Sequence, residues 1–270
     1  MPIHCPVTLA SLSADEFEQL DYRVMGHAYA CQNDLGRLCD ECAYQADLKA
    51  RLLVDGSRSV LTEVPVTVTH RDFSKKYYLD LVADDALYEL KADAALTGEH
   101  EAQLLNYMFL LGVQRAKLLN FRPGKVQGKI IATSLTPEAR RRFTPVTGRW
   151  QDLTPACATL RQDLCDLIED WGAFLEVGLY QEALIHFSGG AGTVDRRISL
   201  NRKGLDLGTQ RMLVHAPGVA FRLTAVTEDQ QYVEAHLRRL LALTNLEAVQ
   251  WINLNHARIE FTTLQSMARE

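Results

Sequence analysis

The sequence predicts an α/β protein, with a mixed sheet flanked by helices in its first half and an α+β unit in its second. The first observation is the order of periodic segments up to residue 133: two helices, three strands, a helix and two strands. The second is a shift to proline and arginine at 134–156. We therefore predict two domains, 1–135 and 155–270, and interpret 134–156 as a connection.

Composition narrows the class of protein. Of the 270 residues, 47% are hydrophobic and 23% are charged, which is ordinary for a soluble globular protein. The net charge of −5 argues against a protein that coats nucleic acid non-specifically, although a local basic rim can coexist with an acidic total. No stretch approaches the ~18–20 apolar residues of a membrane span. Residues 1–4 lack the layout of a signal peptide, so we expect a cytoplasmic protein.

Two helices are predicted at the start of the chain. A capping box at 13–16 begins the first, which has apolar residues at helical spacing and a natural stop at Gly36. The second covers about 38–54 and carries Glu41 and Tyr44. These two residues are three apart, so they share one face of the helix.

The six cysteines lack the spacing of a small secreted domain, and we interpret them as reduced thiols. Cys39 and Cys42 form the only pair with metal-ligand spacing, and His27 and Cys31 could complete a set of four ligands. However, the pair falls where the pattern is helical, and no second Cys-x-x-Cys exists. We therefore prefer buried small side chains to a zinc or iron–sulfur site.

The pattern at 78–91 predicts a β-hairpin. Apolar and polar residues alternate with period two over 78–83 and again over 86–91. Two aspartates stand between these strands and suit a tight turn, because Asp can hydrogen-bond its own nearby backbone. With a two-residue loop, Ala83 faces Ala86.

Counting back from this loop places Asp80 directly opposite Glu89, and Lys91 projects from the same face. Cross-strand neighbours have Cβ atoms roughly 4.5–5.5 Å apart, and like charges placed there destabilise a sheet. Two carboxylates in this arrangement therefore need a cation.

Such a pair of acids suits phosphodiester hydrolysis with Mg²⁺ or Mn²⁺, which polarises the phosphoryl oxygen and lowers the pKa of water. Mg²⁺ takes few carboxylates, so Asp80, Glu89 and a backbone carbonyl such as that of Leu90 would suffice. Glu41 can add a third carboxylate. Lys91 can orient the attacking water or stabilise the transition state.

A helix from about 97 to 112 follows the hairpin, and strands are predicted at 117–121 and 129–132. Gln103 and Tyr107 are four residues apart on this helix and therefore share a face. Both can look inward at the hairpin.

These motifs resemble a known family. The segment 36–44 is similar to the signature of the GxxExxY proteins, and the later motifs resemble the core of the PD-(D/E)XK nuclease superfamily, including the QxxxY element of its RecB-like members. The residues that carry the resemblance are Gly36, Glu41, Tyr44, Asp80, Glu89, Leu90, Lys91, the run from His100 to Tyr107, and the run from Leu118 to Phe121. The resemblance covers about 15–133, and Leu79 stands where the superfamily name has proline.

The resemblance implies a restriction-endonuclease-like core and a metal-dependent nuclease acting on nucleic acid, with DNA as the first choice of substrate and Mg²⁺ or Mn²⁺ as cofactor. Asp80 and Glu89 would be metal ligands, Lys91 the catalytic lysine, and Glu41 a further acidic residue of the site. The residues expected to support the site or contact the substrate are Tyr44, Gln103 and Tyr107.

The second domain is predicted to be an α+β accessory domain that resembles no family. The predicted elements are helices at 160–175, 180–187 and 232–243 and strands at 194–200, 220–226, 248–254 and 258–262. The glycine-rich turn at 189–192 does not continue into Gly-Lys-Ser/Thr, so it is not a phosphate loop. No internal repeat is detectable in the sequence.

Simpler interpretations remain open. Asp80 could be a strand-edge acid, and Glu89 with Lys91 a surface ion pair. Tyr44 and Tyr107 could be core aromatics with a hydroxyl at the rim. The arginines at 140–142 could belong to a solvated linker or to a phosphate-contacting rim.

Other functions remain open as well. The alternative to a nuclease is a non-catalytic nuclease-fold module for DNA binding or assembly, with the second domain mediating homo-oligomerisation. A hydrolase built on Ser-His-Asp has no support, because the Gly-x-Ser-x-Gly elbow is missing.

Overall fold

The computed structural model describes residues 2–266. The chain divides into two compact units, unit 1 (Met1–Pro137) and unit 2 (Glu138–Glu270). Each contains a six-stranded mixed sheet with helices packed against it, which confirms the predicted mixed α/β class. No helix within residues 2–266 is long and apolar enough to cross a membrane.

Unit 1 begins with a short strand and two helices, and its remaining strands follow with one helix between them. Its elements are β1 (Ile3–His4), α1 (Ala14–Leu35), α2 (Glu41–Val54), β2 (Val60–His70), β3 (Phe73–Ala83), β4 (Ala86–Lys91), α3 (Gly98–Leu111), β5 (Arg115–Asn120) and β6 (Gln127–Ala132).

The sheet of unit 1 has the order β1-β2-β3-β4-β5-β6. All neighbouring strands are antiparallel except β4 and β5, which are parallel and joined by α3. Every residue of β4 is buried, because this strand lies inside the sheet and has helices on both faces. Glu89 and Lys91, the candidate site residues on β4, are therefore held in a part of the unit that is shielded from solvent.

The ends of the first two helices follow from local chemistry. Ser13 Oγ accepts a hydrogen bond from the Glu16 backbone N–H, and the Glu16 carboxylate accepts one from the Ser13 N–H, so the predicted capping box is formed. Gly36 ends α1 with a φ of 74°, a value that favours glycine. The second helix begins at Glu41, three residues later than predicted, because Asp40 is extended.

The hairpin between β3 and β4 has the predicted two-residue loop. Asp84 and Asp85 have φ values of 45° and 73°, which match the left-handed turn that suits the twist of paired strands. Ala83 pairs with Ala86, and the ladder continues to Leu81 opposite Tyr88. It ends there, one pair before Asp80 and Glu89.

The core of unit 1 lies between the first two helices and one face of the sheet. Its largest fully buried side chains include Tyr44 from α2 and Tyr88 from β4. An ion pair is buried in this unit as well: the Lys117 ammonium on β5 donates to the Asp21 carboxylate on α1. Side chains at alternate positions of β4 point to the opposite face, where the acids lie.

Unit 2 has the predicted helices and closing strands, and it also contains two strands that the sequence pattern did not predict. Its elements are α4 (Pro137–Arg140), β7 (Thr144–Arg149), α5 (Pro155–Trp171), α6 (Val177–Phe187), α7 (Ala191–Val194), β8 (Asp195–Arg202), β9 (Leu205–Ala216), β10 (Val219–Thr224), α8 (Gln230–Ala242), β11 (Ala248–Asn255) and β12 (Arg258–Gln265).

The longer of the two unpredicted strands is β9, and the other is β7. The first seven residues of β9 are all exposed and include only two apolar side chains, Leu205 and Leu207, so the apolar alternation is too short to reveal a strand. The sheet order of unit 2 is β7-β12-β11-β10-β9-β8. The β10–β11 and β12–β7 pairs are parallel and the others antiparallel.

The stretch 134–156 is not a plain connection. It contains α4 and β7, and β7 is an edge strand of the second sheet. Arg140 is only 2% exposed, and its guanidinium donates to the carbonyls of Trp171 and Ala173. Burial lowers the pKa of Arg140 to about 10. Arg140 therefore anchors the end of α5, and both earlier interpretations of this arginine, solvated linker and phosphate-contacting rim, are wrong.

Candidate active site

The structure brings Asp80, Glu89 and Lys91 together on one face of the first sheet. Lys91 Nζ lies 2.7 Å from Glu89 Oε1 and 3.9 Å from Asp80 Oδ2. The Asp80 carboxylate also accepts a 2.8 Å hydrogen bond from the Leu90 N–H. That bond replaces the next backbone pair of the ladder, which explains why β3 and β4 separate at this point.

Both carboxyl groups are harder to ionise than usual. Glu89 is fully buried, and burial together with the negative charge of Asp80 raises its pKa to about 8. Burial is also the main reason why the pKa of Asp80 is raised, although the Leu90 N–H and Lys91 oppose the shift. The two buried acids lie side by side without enough nearby positive charge to keep both of them ionised.

Lys91 supplies part of that charge. Burial alone would lower the pKa of Lys91, but the carboxylates of Glu89, Asp80 and Glu41 outweigh it, and the pKa is raised. The ammonium group is therefore charged at neutral pH. It is held by Glu89 in a fixed position beside Asp80.

Glu41 lies close enough to the other three groups for mutual electrostatic effects. It is the first residue of α2 and half-buried. Burial raises its pKa to about 7, the charge of Lys91 opposes this shift, and the charge of Asp80 adds to it. Glu41 therefore changes its protonation state near neutral pH.

Sequence reasoning missed two residues of this site, Glu63 and Gln45. The Gln45 amide donates 2.8 Å hydrogen bonds to the Glu63 carboxylate and to the backbone carbonyl of Asp80. Glu63 lies on β2, where the ladder with β3 places it opposite Asp80, and it has a φ of 52°. The available signal was an acid within an otherwise apolar or threonine-rich strand, but only the pairing of β2 with β3 relates Glu63 to Asp80.

Gln103 and Tyr107 meet each other on α3. The Gln103 amide donates a 3.1 Å hydrogen bond to the Tyr107 hydroxyl. The ring of Tyr107 packs edge-on against the ring of Tyr77. Burial raises the pKa of Tyr107, and the negative charges of Glu89 and Asp80 contribute to the shift. The QxxxY pair therefore lies beside the acids, with Tyr107 largely buried and Gln103 half-buried.

Tyr44 requires a correction. It was expected to contact substrate, but it is 0% exposed and stacks on Phe121 with ring centroids 4.5 Å apart. Its hydroxyl donates a 2.8 Å hydrogen bond to the Gly36 carbonyl. A completely buried ring cannot touch nucleic acid. Tyr44 instead ties α2 to the end of α1 and so positions Glu41.

We expect Tyr44→Phe to lower the free energy of unfolding of unit 1 by about 1 kcal/mol, because one hydrogen bond to a backbone carbonyl is lost. Urea denaturation followed by far-UV circular dichroism measures this change. Affinity for nucleic acid should stay at the wild-type value. A variant with unchanged stability and weakened nucleic-acid binding would restore Tyr44 as a contact residue.

The residues present fit a divalent cation. Glu89 Oε2 is buried and has no hydrogen-bond partner among the residues that the structure describes. A carboxylate oxygen in that condition, next to a second raised carboxyl group, is what a hard cation with oxygen ligands would satisfy. Within residues 2–266 no three His, Cys, Asp or Glu side chains are grouped to hold a metal, so Asp80 and Glu89 are the two carboxylates that would hold a cation here.

The cysteines do not add a second site. All six are free thiols, and burial raises the pKa of Cys31 to about 12. Cys39 precedes α2 and is half-buried, whereas Cys42 lies within α2 and is exposed, so the expectation of buried side chains is wrong for Cys42.

The site is therefore a cluster of acidic residues and a lysine on the first sheet. The flanking helices supply Glu41 and the pair formed by Gln103 and Tyr107. The PD-(D/E)XK nuclease superfamily matches this chain over residues 18–131, a segment that includes every one of these residues. Neither the curated proteins nor the solved structures contain a significant match to the chain.

Proposed function

We propose that unit 1 is a metal-dependent nuclease of the PD-(D/E)XK superfamily, of the GxxExxY type, and that its substrate is DNA. The observation that carries the proposal is the buried Glu89 beside Asp80, with raised pKa values and one unsatisfied oxygen. The superfamily match over residues 18–131 supports the same reaction class.

Asp80 and Glu89 are the residues that would hold Mg²⁺ or Mn²⁺. When bound, such an ion neutralises charge on a phosphodiester and lowers the pKa of water. The two carboxylates are held in place before any ion arrives, Asp80 by the Leu90 N–H and Glu89 by the Lys91 ammonium. Preorganised ligands of this kind reduce the reorganisation that catalysis would otherwise need.

The remaining residues of the site supply protons and positive charge. The Lys91 ammonium can donate hydrogen bonds to a non-bridging phosphate oxygen, where negative charge develops. Glu41, with a pKa near 7, can accept a proton from water at neutral pH. Gln45 holds the Asp80 backbone carbonyl and also donates to the Glu63 carboxylate, and Gln103 orients the Tyr107 hydroxyl.

The proposal is tested by a cleavage assay with the full chain on single- and double-stranded DNA and on RNA. We expect cleavage with Mg²⁺ or Mn²⁺ and none with EDTA. Wild-type protein that binds DNA but cleaves no substrate with either metal would overturn the enzymatic proposal. It would leave unit 1 as a nuclease-fold binding module.

A second prediction uses stability instead of activity. The pKa of Glu89 is about 8 in the folded chain, against an ordinary value of 4.5. Between these values the folded chain keeps a proton that the unfolded chain releases, so without metal the free energy of unfolding falls as pH rises from about 5 to 8. Mg²⁺ competes with that proton and should stabilise the protein more at pH 8.5 than at pH 5.5 in thermal melts.

The size of the metal effect is set by mass action, since a ligand at about 100 times its Kd adds about 2.7 kcal/mol. Glu89→Gln should weaken the pH dependence, leaving the part that comes from Glu41 with its pKa of about 7, and should lose the stabilisation by Mg²⁺. Asp85→Asn, in the turn of the same hairpin, is the matched control and should behave as wild type. Equal Mg²⁺ stabilisation of the wild type and Glu89→Gln would exclude Glu89 as a ligand.

A further inference from the structure

Unit 2 repeats the topology of unit 1. From α5 onwards it has two helices, three strands, a helix and two strands, which is the order of unit 1 from α1, with only the four-residue α7 added. The sheet order β8-β9-β10-β11-β12 corresponds to β2-β3-β4-β5-β6, and α8 joins the parallel pair as α3 does. The sequence shows no such repeat.

The strand registers also correspond. Two residues separate Ala216 from its partner Val219, as in the loop of the first hairpin. The separation between Val219 and its parallel partner Ala248 equals that between Leu87 and Ala116. A constant shift of residue number thus relates β4, β5 and β6 to β10, β11 and β12, including the antiparallel register of the last pair.

A side-chain clamp is repeated at the corresponding position. Asn120 on β5 accepts a hydrogen bond from the Asp93 N–H and donates one to the Asp93 carbonyl. Asn253 on β11 does the same with the N–H and carbonyl of Val226. Both asparagines hold the backbone two residues beyond the end of the central strand.

The junction between the first two helices is repeated as well. Gly172 ends α5 with a φ of 84°, as Gly36 ends α1 with a φ of 74°. The hydroxyl of Tyr180, eight residues on, donates to the Gly172 carbonyl, and Tyr44 stands in the same relation to Gly36. Unit 2 therefore has the nuclease-like architecture in full, down to particular hydrogen bonds.

Unit 2 lacks the row of acidic residues that crosses strands β2, β3 and β4 of unit 1. In β9 an additional residue in the bulge near Val219 shifts the register by one, and Arg196 on β8 then pairs with Met212. The residues that correspond across the two sheets are Glu63 and Arg196, Asp80 and Met212, Glu89 and Arg222, and Lys91 and Thr224. Glu41, the first residue of α2, corresponds to Val177, the first residue of α6.

Two positions that are acidic in unit 1 are thus arginines in unit 2. The side chains of Arg196 and Arg222 are exposed and form no hydrogen bond or ion pair within residues 2–266. Ile198 and Ala220, two residues along the same strands, pack with the core cluster under α8, so both arginines lie on the α8 face. This is the face that carries the acids in unit 1.

One of the two arginines, Arg222, borders a cavity large enough for a ligand. The cavity measures about 620 Å³; Arg222 and Met212 line it together with His236 and Leu237 of α8, and it extends to Gln181 and Ile185 of α6. That volume lies in the range of small-ligand sites. The sheet row of the site has no carboxylate to hold a metal ion, and its guanidinium groups match phosphate oxygens in a bidentate manner.

We propose that Arg196 and Arg222 of unit 2 bind phosphate groups of a nucleic-acid backbone at the position where unit 1 has its metal-binding acids. The choice of a nucleic acid as the polyanion rests on the proposed function of unit 1. Unit 2 is then a non-catalytic copy of the nuclease architecture that contributes substrate affinity, and this role gives the acidic chain a local source of positive charge.

The test is fluorescence anisotropy of labelled single- and double-stranded DNA with the full chain in EDTA, where cleavage does not interfere, at several salt concentrations. The variants are Arg222→Gln and the double variant Arg196→Gln/Arg222→Gln. Arg239→Gln is the matched control, because Arg239 is exposed on α8 and lies two residues from both Leu237 and Leu241, which pack on the core. Thermal melts check that each variant is folded.

We expect the double variant to bind about tenfold more weakly at low salt, since each arginine supplies a charge-assisted hydrogen bond. The slope of log affinity against log salt should become shallower by about 1 for each arginine, and Arg239→Gln should change neither quantity. Wild-type affinity and slope in the double variant would overturn the proposal, and so would a wild-type chain that binds no nucleic acid.

The two proposals fail separately. Cleavage by the wild type with Mg²⁺, together with full affinity of the arginine variants, would overturn only the role of unit 2. Weakened binding by those variants in a chain that never cleaves would overturn only the nuclease activity of unit 1.

Discussion

Replacing Glu89 by Gln should abolish metal-dependent cleavage, with a loss of at least about 10³-fold. The substitution keeps the size of the side chain and removes the carboxyl group that accepts from Lys91 and would bind the cation. A neutral amide is a poor ligand for Mg²⁺, and its oxygen would accept the hydrogen bond from the Lys91 ammonium, which leaves the NH₂ group at the position of the second carboxylate oxygen. We expect Asp80→Asn to have a loss of the same order.

The measurement is the initial rate of cleavage at saturating Mg²⁺, compared between wild type and variants at equal concentration. Asp85→Asn is the matched control: it makes the same chemical change within the same hairpin, and Asp85 forms no hydrogen bond within the part of the chain that the structure describes. It should cleave at the wild-type rate. Cleavage by Glu89→Gln within about tenfold of wild type would refute the assigned role of Glu89.

The second large effect is expected from Lys117→Ala. Lys117 and Asp21 form a buried ion pair between β5 and α1, and a second oxygen of Asp21 is already without a hydrogen-bond partner within residues 2–266. Removing the lysine leaves a buried, uncompensated carboxylate, which typically costs about 3–5 kcal/mol. We expect unit 1 to lose that much of its free energy of unfolding.

Lys129→Ala provides the control, because the Lys129–Glu101 pair is largely exposed and such pairs contribute about 0–1 kcal/mol. Urea denaturation followed by far-UV circular dichroism reports the loss. Tryptophan fluorescence serves as an internal reference, since Trp150, Trp171 and Trp251 all lie in unit 2. A loss below about 1 kcal/mol in Lys117→Ala would show that the pair is not a significant source of stability.

Local signals predicted much of the first unit. The capping box at Ser13 and the stop at Gly36 depend on residues close in sequence, and both were predicted correctly. The hairpin was predictable for the same reason, because two strands joined by a two-residue loop have only one register. That register brings Asp80 and Glu89 near each other without knowledge of any other strand.

Features that depend on distant partners were not predictable. Glu63 joins the site only because β2 lies beside β3, and nothing in its own segment shows this. Arg140 has the sequence context of a solvated linker, yet it is buried at the end of α5. Tyr44 shares a helix face with Glu41, but packing against Phe121 on another element decides that its ring is buried.

The repeated architecture shows most clearly the difference between what local sequence predicts and what only the tertiary structure decides. The sequence by itself determined the spacing of the turns, the capping residues and the acid–acid–lysine motif, because each depends on neighbours along the chain. Only the tertiary structure decided that Arg196 and Arg222 occupy the positions of Glu63 and Glu89. Strand pairing is formed by backbone hydrogen bonds that many side chains permit, so two units can share one register with little sequence in common.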